Sequence, residues 1–107
     1  MQATLDAGVP IAVIYCKYND AILVGDKDSD RILQFDPETL RVTAHFADHK
    51  LRHPAGLACH DDGVLYAISQ NKGKILEFDL DRPHARAYTV IDELPDAGEG
   101  LMLSSLC

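Results

Sequence analysis

Three acidic residues at alternate positions, Asp26, Asp28 and Asp30, have the spacing of ligands in a calcium-binding loop. A complete EF-hand loop also needs Gly at its sixth position and Glu at its twelfth. The corresponding positions here carry Arg31 and Pro37. The three acids are therefore candidate cation ligands, but a solvated turn is the favoured interpretation.

Four histidines, His45, His49, His53 and His60, follow one another closely along the chain. On a helix the first three would share one side, and imidazoles so spaced can bind zinc. Pro54 would end such a helix, and His45 falls in a predicted strand. A polar loop between two β units is therefore favoured, with His49, His53 and His60 as candidate metal ligands.

The three cysteines, Cys16, Cys59 and Cys107, are too few and odd in number for a disulfide framework. Cys16 and Cys59 are interpreted as small buried core residues, and Cys107 is expected to be exposed and oxidisable. Free thiols fit a reducing compartment. The N-terminal stretch has neither a basic segment nor a long apolar run, as a signal peptide or membrane span would. Together these features favour the cytoplasm.

Glu93, Asp96 and Glu99 form a further acidic group, and paired carboxylates can perform acid–base catalysis. An exposed acidic loop explains them equally well and is favoured. The chain has no Gly-x-Ser-x-Gly, no His-Glu-x-x-His and no phosphate-binding glycine loop. The sequence therefore assigns no catalytic residue, no cofactor and no definite metal site, and it favours a protein that is not an enzyme.

Composition agrees with one soluble domain. The chain has 107 residues, 47% of them hydrophobic, and a formal net charge of −7. A negative surface repels phosphate, so neither nucleic acid nor an anionic membrane is an expected partner.

The elements that must position these residues come from an internal repeat. Segment 11–36 aligns without a gap on segment 54–79 at an offset of 43 residues, and Cys16 falls on Cys59. Short apolar runs separated by turn residues predict four strands in each copy. The strands predicted for the first copy are 11–17, 21–25, 31–35 and 40–46, and those for the second are 56–60, 64–69, 74–78 and 85–91. Only segment 47–51 is allowed a single helical turn.

The motifs of the second copy resemble the NHL/YVTN-like repeats of β-propellers. They are HPAGLA at 53–58, DDGVLYA at 61–67 and KILEFD at 74–79. The first copy keeps RILQFD at 31–36 but has Ala12-Val13 where the pattern has Gly. The resemblance covers roughly residues 9–91. It implies an all-β chain of two four-stranded antiparallel propeller-type blades, a partial β-propeller, and it does not select a function.

The chain is accordingly expected to be one repeat domain, 1–107. Blade 1 is expected to span about 9–50 and blade 2 about 51–94, with 95–107 beginning a third repeat or adding a closing strand. Two blades cannot close a ring, because propellers have typically four to eight. We therefore expect a homo-oligomer, with a trimer favoured over a dimer, or the remainder of a larger propeller.

Three functional hypotheses follow. The first is a non-enzymatic interaction or assembly module. The second is a fragment or oligomerising relative of a propeller enzyme, lactonase- or lyase-like, with a metal near the propeller axis. Its expected ligands near the inner strands are few: His53, His60, Asn19 and Asp20. The third is an incomplete gene product without independent function.

Overall fold

The computed structural model of the protein describes residues 10–70 and 73–91. Over these residues the chain forms eight β-strands. In chain order they are β1 (Pro10–Cys16), β2 (Ala21–Asp26), β3 (Arg31–Phe35), β4 (Val42–Phe46), β5 (Pro54–Cys59), β6 (Val64–Ser69), β7 (Lys74–Asp79) and β8 (Tyr88–Ile91).

The strands form two antiparallel sheets of four strands each, in the orders β1-β2-β3-β4 (sheet 1) and β5-β6-β7-β8 (sheet 2). Within each sheet, strands that are consecutive in sequence pair with each other, because the connections between them are too short for a crossover. The prediction of an all-β chain with one four-stranded antiparallel sheet per repeat is confirmed.

Equivalent residues of the two copies have equivalent burial. Phe35 and Phe78 are 0% and 2% exposed, and Ile32 and Ile75 are 0% and 4% exposed. The β2–β3 and β6–β7 hairpins also pair in the same register, offset by the repeat length. The shared motif therefore fixes the centre of each sheet.

Several strand boundaries differ from prediction, among them the start of β5, which is Pro54 instead of Gly56. Strand β4 begins at Val42, because Leu40 adopts a positive φ of 57° in the turn before it. Strand β8 begins at Tyr88, since hydrogen-bonded turns occupy the preceding residues up to Ala85. Segment 47–51 contains a turn closed by Leu51 N–H on the Asp48 carbonyl, and no helix.

The two sheets stack through one shared apolar core. Sheet 1 contributes Leu23 and Ile32, and sheet 2 contributes Leu65, Leu76 and Phe78. The ring of Phe78 meets that of Phe46 edge to face, with centroids 6.0 Å apart and planes inclined by 73°. Aromatic pairs prefer this arrangement because the positive edge of one ring meets the negative face of the other.

The stacking is head-to-tail. The repeat equivalents of Leu65, Leu76 and Phe78 in sheet 1 are Ile22, Leu33 and Phe35, which belong to a separate cluster on the opposite face of that sheet. Likewise, the sheet 2 equivalents of Leu23 and Ile32 are Tyr66 and Ile75, which lie on the face of sheet 2 turned away from sheet 1. The contact therefore joins two unlike faces of the repeat.

Candidate functional site

The closest approach of the two sheets is a seam where β1 and β2 of sheet 1 meet β5 of sheet 2. Gly25 in β2 faces the backbone of Pro54 in β5, and a Cβ at Gly25 would collide with the Pro54 carbonyl oxygen. Gly is required here because it alone lets the two backbones come this close.

A disulfide between Cys16 and Cys59 closes one end of the seam, with the two Cα atoms 5.8 Å apart. Cys16 has no exposed surface, and Cys59 is partly buried. The prediction of free thiols is therefore corrected for this pair, whose positions in the two repeats are equivalent. The argument from free thiols to a reducing compartment does not apply to these two residues, and the cytoplasm stays a prediction.

The pairing of equivalent cysteines depends on a difference in register between the first hairpin of sheet 1, β1–β2, and the first hairpin of sheet 2, β5–β6. In sheet 1 Cys16 lies opposite Ala21, whereas in sheet 2 Cys59 lies opposite Leu65 instead of Val64, the repeat equivalent of Ala21. Because side chains alternate between faces, a shift of one residue turns β5 over relative to β6.

The turn conformations explain this shift. Four residues, 17–20, connect β1 and β2, and Asp20 takes a positive φ of 48°. In sheet 2 His60 N–H bonds the Val64 carbonyl over 2.8 Å, which leaves a tighter turn with Gly63 at a φ of 91°. If both sheets had the same register, the two cysteines would lie on equivalent faces of their sheets. Head-to-tail stacking brings together two faces that are not equivalent, so the cysteines could not meet. The tighter turn places Cys59 on the face that meets Cys16.

A contact between turns lies at the disulfide end of the seam. The ring of Tyr18 covers Gly63, where an added Cβ would lie 2.9 Å from the Tyr18 Cζ. The Tyr18 hydroxyl donates a hydrogen bond of 2.7 Å to Asp81. This hydrogen bond and the nearby carboxylates raise the pKa of Tyr18 above its ordinary value, because both favour the neutral phenol.

Asp48, in the linker between the sheets, ties that linker to the start of β8. Its side chain is 3% exposed, and its carboxylate accepts hydrogen bonds from the N–H groups of Lys50 and Ala87, both of 3.0 Å. The Lys50 ammonium donates to the Ala87 carbonyl, also over 3.0 Å. Burial alone would raise the pKa of Asp48, but the two N–H donors and the charges of Lys50 and His49 hold it below the ordinary value.

The candidate calcium ligands form a hairpin turn and an inter-sheet contact. Asp26 is 2% exposed, and its carboxylate accepts from Asp28 N–H at 3.1 Å and from the Ser29 hydroxyl at 2.8 Å. Asp28 is exposed. Asp30 accepts from His53 N–H across the seam at 2.9 Å. The side chains of Asp26 and Asp30 thus make different contacts.

The histidines do not form one cluster. His49 lies beside Asp48, with Nδ1 3.3 Å from a carboxylate oxygen, and His60 lies beside Asp62 at 3.0 Å. His53 uses its backbone N–H toward Asp30 and has a positive φ of 46°. Within residues 10–70 and 73–91, no three His, Cys, Asp or Glu side chains gather closely enough to hold a metal ion.

The other candidate metal ligands near the inner strands also have separate partners. Asp20 accepts a hydrogen bond of 2.7 Å from the Tyr15 hydroxyl. Asn19 donates to Gln34 over 2.9 Å, and its side-chain oxygen is buried without a hydrogen-bond partner. Sequence reasoning did not single out the contact of Arg31 Nη1 with His45 Nδ1 at 2.9 Å. Glu93, Asp96, Glu99, Cys107 and the predicted segment 95–107 lie outside the described residues.

The outward face of sheet 1 is here called end face 1, and that of sheet 2 end face 2. The centres of both are buried, with Leu33 and Phe35 at 0% on end face 1 and Ile75 at 4% on end face 2. Neither end face is therefore open to water at its centre. Their rims are exposed: Val13 and Tyr15 pair with residues of end face 1 and are 57% and 58% exposed, and Tyr88, opposite Glu77, is 68% exposed.

Comparison with known proteins adds no identity. No protein-family model matches the chain, and no curated protein or solved structure matches it. The described part of the chain also contains no helix long and apolar enough to cross a membrane.

Proposed function

We propose that this protein is a non-enzymatic interaction and assembly module of the β-propeller type, whose partner is a second copy of the chain. The observation that carries the proposal is the head-to-tail stacking of the sheets. The face of sheet 1 that holds Leu23 and Ile32 packs on the face of sheet 2 that holds Leu65 and Phe78. Propeller blades stack in the same sense, each on the unlike face of the next.

Head-to-tail stacking leaves the sheet pair with two unlike ends. End face 1 is the repeat equivalent of the face that sheet 2 presents to sheet 1, and end face 2 is the equivalent of the face that sheet 1 presents in return. A second copy would therefore meet, at either end, the equivalent of a face already used within the chain, and would contact it through the exposed rim. Such heterologous contacts close into rings when the rotation per unit permits.

The arithmetic of blades favours a small ring. With two sheets per chain, a dimer would contain four blades and a trimer six, both within the usual range for propellers. The resemblance of the KILEFD and RILQFD motifs to NHL/YVTN-like repeats supports the trimer, because six blades are common in that family. The module's specificity would then lie at the mouths of the ring, which turns such as those around Tyr18 and Gly63 would form.

The exposed rims are the part of each end face that a second copy would contact. Since the centres of the end faces are already buried, a second copy would meet Val13 and Tyr15 at one end and Tyr88 at the other. These are large apolar or aromatic side chains left in water, and aromatic residues are enriched at protein interfaces.

Mass in solution, measured by light scattering over a range of protein concentration, tests the proposal directly. We expect a trimer or dimer, and Tyr88→Asp should shift it to monomer because an unpaired charge is costly in an interface. The control His84→Asp introduces the same charge at an exposed residue in the loop before β8 and should leave the mass unchanged. A folded wild-type monomer at high concentration would refute the proposal. Stoichiometric metal retained after dialysis would instead support the propeller-enzyme alternative.

A further inference from the structure

The Cys16–Cys59 disulfide joins strands that belong to different sheets and are not hydrogen-bonded to each other. Its two sulfur-bearing residues differ in access, since Cys16 has no exposed surface and Cys59 is partly exposed. We propose that this disulfide is a reversible oxidation site, opened by thiol reductants through Cys59, and that its state sets how firmly the two sheets are held together.

The chemistry is thiol–disulfide exchange with a dithiol or with two monothiols. A reductant thiolate attacks the Sγ of Cys59, the S–S bond breaks, and Cys16 leaves as a thiolate that takes up a proton. The resulting mixed disulfide on Cys59 is attacked by a second reductant thiolate, which releases Cys59 as a thiolate and leaves the reductant as a disulfide. Two electrons pass from the reductant to the protein, and the reverse sequence restores the bond.

Attack at Cys59 follows from access. Exchange requires the incoming sulfur to reach the disulfide nearly in line, so the sulfur of a residue without exposed surface is a poor target. Cys16 is enclosed in the core that also contains Leu23 and Leu57, whereas Cys59 lies at the edge of that core.

The sheets have enough other contacts to stay folded after reduction. The shared core, the approach of Gly25 to Pro54 and the hydrogen bond from His53 to Asp30 do not involve the disulfide. The linker hydrogen bonds of Asp48 are also independent of it. Reduction should therefore loosen the seam at β1 and β5 without unfolding either sheet.

The expected size of the effect follows from the 43-residue separation of the two cysteines. In the chain-entropy description, a cross-link over such a loop favours the folded state by about a thousand-fold in the folding equilibrium constant. The folding equilibrium constant, measured by denaturant unfolding, should therefore be larger for the oxidised protein than for the reduced protein by about this factor. On reduction, amide hydrogen exchange should accelerate in β1 and β5 more than in β3 and β7.

The test uses the full chain with Cys107→Ser, so that one cysteine pair remains. Glutathione is added to the folded oxidised protein, the products are trapped with acid, and tryptic peptides are weighed. Cys59 lies in peptide 53–72 and Cys16 in peptide 1–17. We expect the glutathione adduct on peptide 53–72, reduction by dithiothreitol without loss of β-sheet circular dichroism, and recovery of the disulfide with oxidised glutathione.

Two single variants test the difference in access between Cys59 and Cys16 without thiol–disulfide exchange. In Cys16→Ser the remaining thiol is Cys59, and in Cys59→Ser it is Cys16. Iodoacetamide should alkylate the first at least ten-fold faster than the second in folded protein, and at equal rates in denaturant. An adduct on peptide 1–17, equal alkylation rates in folded protein, or unfolding on reduction would overturn the proposal. None of these results depends on assembly with a second copy, so this proposal and the proposed function fail separately.

Discussion

Replacing Asp48 tests how the linker between the sheets is held. Its buried carboxylate accepts two backbone N–H bonds, from Lys50 and from Ala87, which is itself 5% exposed. A hydrogen bond to a charged group contributes about 1.5–3 kcal/mol. Taking the lower figure for each, because water can reach part of the linker once the side chain is gone, Asp48→Ala should lower the free energy of unfolding by about 3 kcal/mol.

Asp48→Asn separates the shape of the side chain from its charge. The Lys50 and Ala87 N–H groups bond different oxygens of the carboxylate. The amide keeps the size of the carboxylate but has an NH₂ group in place of one oxygen, so only one of the two N–H donors keeps its acceptor. We expect a loss of about 1.5 kcal/mol, half that of Asp48→Ala. The matched control is Asp61→Asn, at an exposed position of the β5–β6 turn, which should change stability by less than about 0.5 kcal/mol.

The pH dependence gives the same prediction a second measurement. Because the pKa of Asp48 is lowered in the folded state, its stabilisation is fully present above the unfolded-state pKa of about 3.9 and is lost as pH falls through the folded-state value. The difference between wild type and Asp48→Ala, measured by urea unfolding, should be constant from about pH 5 to 8 and shrink below about pH 4. A difference under about 0.5 kcal/mol at pH 7, or one that does not shrink in acid, would refute the reasoning.

Three further changes test the packing of the sheets. Gly25→Ala should destabilise the protein by about 1–3 kcal/mol, because its Cβ meets the Pro54 carbonyl and forces β2 from β5; urea unfolding with an unchanged midpoint would contradict this. Phe78→Ala should cost about 3–5 kcal/mol through the cavity it leaves in the shared core, again read from urea midpoints. Gly63→Ala should destabilise the protein, because Gly63 has a φ of 91° in the tight turn and an added Cβ would lie 2.9 Å from the Tyr18 Cζ; an unchanged urea midpoint would contradict the role given to this turn.

The sequence repeat was sufficient to predict most of the fold. Because Phe35 and Phe78 occur in the same motif at the same offset, the prediction of two sheets with buried equivalents needed only local patterning and turn residues. The same reading could not place β4 and β8 at their true starts. Leu40 has a positive φ without being the Gly or Asn that most often marks one. Before Tyr88, the chain makes hydrogen-bonded turns at Arg82 and Ala85 in a segment that was predicted to be strand.

The contacts of the candidate site were less predictable from sequence than the fold, because contacts between distant residues have no local sequence pattern. Asp48 was not singled out, since its partner Ala87 is 39 positions away. The acids of segment 26–30 were read as a group, yet Asp26 serves its own turn while Asp30 reaches the linker at His53. Spacing showed which side chains could share a ligand, and the tertiary structure gave each a different partner.

The disulfide shows this division most clearly. The sequence by itself determined two repeats at a gapless offset of 43 residues, with Cys16 and Cys59 in equivalent positions. A gapless repeat predicts identical registers, and identical registers in a head-to-tail stack would keep the cysteines on like faces. Only the folded structure decided otherwise, because Gly63 accepts a tight turn that pairs His60 with Val64 and shifts β5 by one residue. Side chains alternate with a period of two along a strand, so that single step brings Cys59 to Cys16 and joins the sheets.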